Sequence, residues 1–323
     1  MKKFLVIIAV LFIPALLCYS ADKKIVVGFS QVGAENPWRT TMSENMKDAF
    51  EKAGMTLKFS DAQGKQENQI KALRSFIAQK VDVIILAPVV ATGWDAVLKE
   101  IRDKKIPLII VNRKLTVSVG KTEDYFLTFV GPDNTQAGKI AAKFVFDTFK
   151  NKPGDVNIME LQGTVGASTA VERKQGFDEA LKSNPRFKII ISQSGDYNRA
   201  KGKEATEAMI KAVKAQGKRI DVLWSHADDQ GIGGAQALAE AGLKPGKDVI
   251  IVSVDGLKIT FEEMVAGRYN ATIENPVDYG PRCVELVKTI VAGKANTISK
   301  FNWLNFTLYT AATAAKDLPT RKF

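Results

Sequence analysis

Histidine and cysteine are almost missing from this chain of 323 residues, which has one histidine, His226, and two cysteines, Cys18 and Cys283. Transition-metal sites draw their commonest ligands from these two residue types, so no metal centre is expected. Nucleophilic catalysis needs a nucleophile with a base beside it. Cys283 falls in a predicted helix with no base near it in sequence, and His226 reads as a structural or solvated histidine. No strand is followed by Gly-x-Gly-x-x-Gly, and no Gly-Lys-Ser/Thr loop occurs, so dinucleotide and nucleoside-triphosphate binding lose their usual signatures. The nearest approach, Gly163–Ser168 (GTVGAS), could hold an anion at a helix start, but reads better as a flexible turn ending in a helix cap. Lys and Arg outnumber Asp and Glu by 46 to 35, a formal charge of +11, yet they form no dense basic run, so no nucleic-acid partner is expected. Carboxylates are plentiful, but no pair singles itself out for hydrolytic work. No cofactor is expected.

Long apolar runs are absent too, except at the start. Lys2 and Lys3 precede an apolar run from Phe4 to Leu17, too short to span a bilayer comfortably, followed by the small residues Ser20 and Ala21. This order predicts a secretory signal peptide over residues 1–20, with cleavage after Ser20 or Ala21 and a periplasmic product. Cys18 offers a competing reading as a lipid-attachment site, which bulky Leu17 disfavours. Either way one cysteine remains inside the folded chain, and no structural disulfide is expected.

What is present is alternation. Ile25–Phe29 is a short β-branched run suited to a strand buried on both faces. A polar loop follows, and then Asn36 and Pro37, a helix cap and a first helical residue. Trp38, Met42, Met46, Ala49, Phe50 and Ala53 recur at helical spacing, with Gly54 as the stop. The same unit repeats down the chain. Strands are expected at 56–60, 81–87, 106–111, 125–130, 156–161, 188–192, 220–225, 249–254 and 271–273, with helices between most of them and an extended tail over 301–309. The fold class is therefore α/β, with parallel sheets flanked by helices. About ten strands exceed one usual sheet, so two lobes are expected, with a first break near Gly131-Pro132.

Ten residues fall at or near a strand end or the start of the next helix: Asn36, Trp38, Arg39, Asn112, Arg113, Arg173, Tyr197, Asp228, Asp255 and Glu274. In open α/β sheets that edge binds ligands. Aromatic faces stack on the C–H faces of a sugar ring, and Arg, Asn, Asp and Glu can each hold adjacent hydroxyls with two hydrogen bonds. Taken singly, each residue reads as well as a surface or core group; together they favour a sugar site.

These residues lie in segments that resemble the periplasmic sugar-binding proteins of ABC importers, of the ribose-binding type, and within them the galactofuranose-binding branch. The likeness runs from about Lys24 to Leu318 and is carried by GFSQVGAENPWR, DAQGKQENQIKALRSFIAQKVDVIILAPVVATGW, ELQGTVGAS, SGDYNRAKGKE, EAGLKPGKDV and ATIENP. It implies a type I periplasmic binding protein: two Rossmann-like lobes, 24–130 plus 275–305 and 131–274 plus 306–323, joined by three crossovers near Gly131, Asn275 and Phe306. It implies that ligand closes the lobes about that hinge. Carried over, Asn36, Trp38, Arg39 and Arg113 would contact sugar from the first lobe, Arg173, Tyr197 and Asp255 from the second, and Glu274 from the hinge. Two positions depart: Asn112-Arg113 stands where the family commonly has Asp-Arg, and Ala227-Asp228 where it commonly has Asn-Asp.

The function expected from the resemblance is an exported monomeric binding protein, not an enzyme. It would capture a galactofuranose-like or related monosaccharide and deliver it to an inner-membrane ABC permease. A sensor presenting sugar to a chemoreceptor or kinase is the first alternative, and an exported sugar-processing enzyme the second. Arg39, Arg113 and Arg173 against Asp255 and Glu274 leave one positive charge over. That surplus is met either by a sugar-acid ligand or by Asp228, Glu35 or Glu172, with a neutral sugar bound.

Overall fold

A computed structural model describes residues 24–321 and 323; the expected signal peptide and Cys18 lie outside the described residues. Among the described residues, twelve strands alternate with ten helices: β1 Val26–Gln31, α1 Pro37–Lys52, β2 Thr56–Asp61, α2 Gln66–Ala78, β3 Val83–Leu86, α3 Asp95–Asp103, β4 Leu108–Val111, β5 Thr128–Pro132, α4 Asn134–Phe149, β6 Val156–Gln162, α5 Ser168–Leu181 and β7 Phe187–Ser194. They continue as α6 Arg199–Ala215, β8 Val222–Ser225, α7 Asp228–Glu240, β9 Ile250–Asp255, α8 Lys258–Val265, β10 Ala271–Glu274, α9 Tyr279–Val291, β11 Phe301–Leu304, β12 Thr307–Thr310 and α10 Ala314–Asp317.

The strands form two six-stranded sheets, ordered β11-β5-β4-β3-β1-β2 and β12-β10-β9-β8-β6-β7. All pairs in the first are parallel, and in the second only β12 runs antiparallel, against β10. The chain leaves the first sheet after β5, returns after β10, and crosses again between β11 and β12.

Each sheet is covered on both faces, as apolar strands without polar alternation require. On the first, Phe29, Met42, Met46, Phe50 and Val287 fill one side and Leu73, Phe76, Trp94 and Leu98 the other. On the second, Met209, Val213, Leu238 and Phe261 fill one side and Val145, Phe177 and Trp224 the other. Cys283 is buried in the first core as a free thiol, and burial pushes it up to about 12, so it stays protonated and unreactive.

Local differences from the sequence reading have local causes. Asn36 caps α1 as expected, its side chain accepting from the Arg39 amide at 2.9 Å. β1 runs on to Gln31, because Ser30 and Gln31 still pair with Ser60 and Asp61. The strand expected at 125–130 lies at 128–132, because Thr122–Tyr125 coil into a 3₁₀ turn. The extended tail is two strands, broken at Asn305-Phe306, where it changes sheets.

The carboxyl ends of the two sheets face each other, and hydrogen bonds close the gap. The Ala91 amide donates to Gly166 O at 2.9 Å, the Lys114 amide to Ser168 Oγ at 2.7 Å, and Asn36 Nδ2 to Tyr197 O at 3.2 Å. Lys114 Nζ also pairs with Glu172 at 3.1 Å.

Candidate functional site

Between the facing ends lies a small cavity of about 20 Å³, room for little more than a water molecule between the side chains that converge on it. Eight of the ten expected residues line it. The β1–α1 loop and first helical turn bring Asn36, Trp38 and Arg39; the end of β4 brings Asn112 and Arg113. The second sheet adds Arg173 from α5, Tyr197 from the β7–α6 loop and Asp255 from the end of β9. Glu35, Thr169 and Asn275 complete the lining.

Glu35 organises the first half of the site. Its Oε1 accepts from Arg39 Nε at 3.2 Å and from Arg113 Nη2 at 3.0 Å. Burial works against its charge, but the two guanidinium groups outweigh this and hold its carboxyl below the ordinary range. Arg39 also donates to Asn112 Oδ1 at 3.0 Å, and Asn112 Nδ2 to the Tyr279 hydroxyl at 3.3 Å. Trp38 lies under the Arg39 guanidinium at 4.9 Å, meets Tyr279 edge-on, and donates from Nε1 to Asn275 O at 2.7 Å.

On the other side, Arg173 donates from Nε to Asn134 Oδ1 at 3.0 Å and from Nη1 to the His226 carbonyl. Tyr197 lies under both Arg113 and Arg173, at 5.3 and 5.9 Å, and shares a 2.7 Å hydroxyl bond with Thr169. Burial pushes the Asp255 carboxyl well up, and the Asp228 charge adds to this, while Arg173 and Arg39 pull it down.

The backbone is strained here. Asn112 has φ 63°, Tyr197 56° and Asp255 140°, values that side-chain-bearing residues rarely adopt. Such conformations cost about 1–3 kcal/mol each and gather at functional sites. Three buried polar atoms on the lining, Glu35 Oε2, Arg113 Nε and Asn275 Oδ1, have no hydrogen-bond partner among the described residues. One acceptor of charge, one donor and one neutral acceptor are therefore free to meet a ligand that both donates and accepts.

Two expected residues lie elsewhere. Asp228 is fully buried behind the cavity, where it accepts from Ser253 Oγ, from Thr272 Oγ1 at 2.7 Å, and from the amides of Gly256 and Leu257 at 2.9 and 2.7 Å. Its lone pairs are committed to holding the turn after β9. Glu274 lines a different surface, pairing with Arg321 at 2.6 Å and accepting from the Tyr309 hydroxyl at 3.3 Å. It sits at a strand end whose side chain points away from the cavity. Glu35, Thr169 and Asn275 take up lining positions in turn. Glu35 had a signal, standing in the same loop beside Asn36; Thr169 had none beyond its place in the first turn of α5.

Gly163 in the GTVGAS stretch serves clearance: a Cβ there would sit 1.9 Å from the Tyr197 ring. Gly163→Ala should displace that ring and weaken ligand binding about tenfold while the protein still folds, with calorimetric titration as the measure. Unchanged affinity would remove Tyr197 from the site.

His226 is buried, 3.3 Å from Glu160 Oε1; burial lowers its pKa against the hydrogen bond and charge of Glu160, which work to raise it. Burial also works to raise Glu160, but hydrogen bonds from His226 and Ser192 and the Lys174 charge outweigh it, holding the carboxyl at about 2. A depressed carboxyl stabilises the fold above its ordinary pKa of about 4.5, and that stability is lost as pH falls towards 2. Glu160→Gln should thus remove about 3 kcal/mol at neutral pH and flatten the fall in stability between about pH 5 and 2. Denaturant midpoints falling in parallel for both proteins would contradict it.

The chain is 44% identical to the galactofuranose-binding protein YtfQ of Escherichia coli K12 over 322 residues, covering 99% of this chain and 98% of that one. Among solved structures, it is similar to the binding component of the Shewanella sp. ANA-3 arabinose ABC transporter bound to α- and β-L-arabinofuranose, with 44% identity, TM-score 0.86, and 92% and 95% of the two chains covered. It is similar as well to a Mycobacterium smegmatis protein in complex with β-D-fucofuranose, with 41% identity, TM-score 0.86, and 91% and 94% covered. Residues 27–295 match the model of the periplasmic binding protein domain, and on that match and these likenesses the chain belongs to the periplasmic binding protein family, as a binding protein and not an enzyme.

Proposed function

We propose that this protein is exported to the periplasm after loss of residues 1–20 and works there as a monomer. It captures a monosaccharide in the cavity between its sheets and hands it to an inner-membrane ABC permease. Its moving bodies would be 24–130 plus 275–305 and 131–274 plus 306–323, turning about the three crossovers. The observation that carries this reading is the convergence of side chains from both sheets on one polar cavity, with buried polar atoms left free on its wall. Three relatives named for furanose sugars support a five-membered ring as the preferred ligand form.

Titration of the exported protein with L-arabinose, D-galactose and D-fucose, and with their acids, tests the reading. A bound sugar at a hundred times its Kd should add about 2.7 kcal/mol of stability, read as a rise in melting temperature. Scattering curves should show a more compact particle with ligand. A sugar returned chemically altered would favour an enzyme. Loss of taxis rather than uptake in a deletion strain would favour a sensor.

A further inference from the structure

The cavity's charges do not balance. Arg39, Arg113 and Arg173 present three guanidinium groups to it, each no more than 3% exposed. Glu35 supplies one negative charge, already shared between Arg39 and Arg113. Asp255 stands in front of Asp228, both buried, and two adjacent buried carboxyls cannot both ionise cheaply. Asp228 receives four donors, and burial pushes both carboxyls up, Asp255 well up. Behind Arg173, His226 faces Glu160, which is also paired with Lys174 at 3.0 Å. Three guanidinium groups thus meet Glu35 and a pair of buried carboxyls that cannot both ionise cheaply. Asn112, which accepts from Arg39, brings no charge to offset the third.

The surplus is localised. Both hydrogen bonds of Arg173 among the described residues go to uncharged oxygens, Asn134 Oδ1 and the His226 carbonyl. Arg113 Nε, buried on the same wall, has no partner, and Tyr197 lies under both guanidinium groups. An uncompensated buried charge is costly, and a carboxylate gripped by guanidinium donors is a group that removes the cost.

We propose that the ligand of this site is a sugar acid, whose carboxylate is held between Arg173 and Arg113 Nε while its hydroxyls meet Glu35, Asn275 and Asp255. This rests on the reading of the cavity as a sugar site. A neutral sugar would leave the third arginine unmatched.

The test is calorimetric titration of the full exported protein with matched pairs: D-galactose and D-galacturonate, D-glucose and D-glucuronate, L-arabinose and L-arabinonate. At least one acid should bind ten or more times tighter than its neutral partner. Arg173→Gln should shrink that ratio below threefold, and Asn112→Asp, which restores the missing negative charge, should shift preference towards the neutral member. If wild-type protein binds every neutral sugar at least as tightly as its acid, the sugar-acid proposal is overturned while the sugar-binding reading stands. If no member of either series binds, both fall. The wild-type comparison decides even where a variant fails to fold.

Discussion

Asp228→Ala should lower folding stability by about 3–5 kcal/mol, the loss expected when a buried charged partner is removed and its donors are left behind. The carboxyl holds Ser253, Thr272 and the amides of Gly256 and Leu257, which together form the turn out of β9. Alanine offers none of them an acceptor, and water has no route to a site with no exposure. Denaturant unfolding measures the effect. Because Asp228 sits behind Asp255, affinity should also drop as the strained Asp255 backbone relaxes. A variant that keeps wild-type stability but loses ligand would return Asp228 to the binding surface and refute this placement.

Arg113→Met should weaken binding by roughly two to three orders of magnitude, or about 3–4 kcal/mol, the scale for truncating one member of a buried charge pair. Methionine retains much of the stem's volume, so the change acts on the guanidinium. Without it Glu35 keeps only Arg39, Val89 O loses its donor at 3.0 Å, and the cation over Tyr197 is gone. Arg199→Met is the matched control, since that arginine is partly exposed in its pair with Asp229 and surface pairs contribute about 0–1 kcal/mol. Affinity within threefold of wild type for Arg113→Met would mean that ligand does not meet this arginine.

Much of this was legible in the sequence, and the limits of legibility were physical. Apolar runs such as 106–111 and helical spacing from Trp38 to Ala53 carry the pattern of buried parallel strands and their covering helices, and Asn36-Pro37 states where α1 begins. Boundaries blurred where neighbours overrode local preference, as when the turn at Thr122–Tyr125 postponed β5. The site was legible as residues at strand ends. Which way such a residue points depends on strand phase and on what waits opposite, so Glu274 turned to Arg321 and Asp228 to the β9 turn. Glu35, in a loop without periodicity, was visible only as a possible counter-charge. The left-handed backbone at Asn112 and Tyr197 left no mark, because neither residue is glycine.

The crossing at Asn305-Phe306 has a bearing on how the protein is made. β11 supplies an edge of the first sheet and β12 an edge of the second, yet both are drawn from the last 25 residues of 323. β11 pairs with β5, whose residues are synthesised some 170 positions earlier. Contacts so distant along the chain form late and slowly. Until residues 301–310 have been made, each sheet lacks an edge strand, and the nascent chain stays short of its native state. Under the export proposed above, a fold closed by strands made this late helps keep the chain unfolded long enough to be threaded through a membrane.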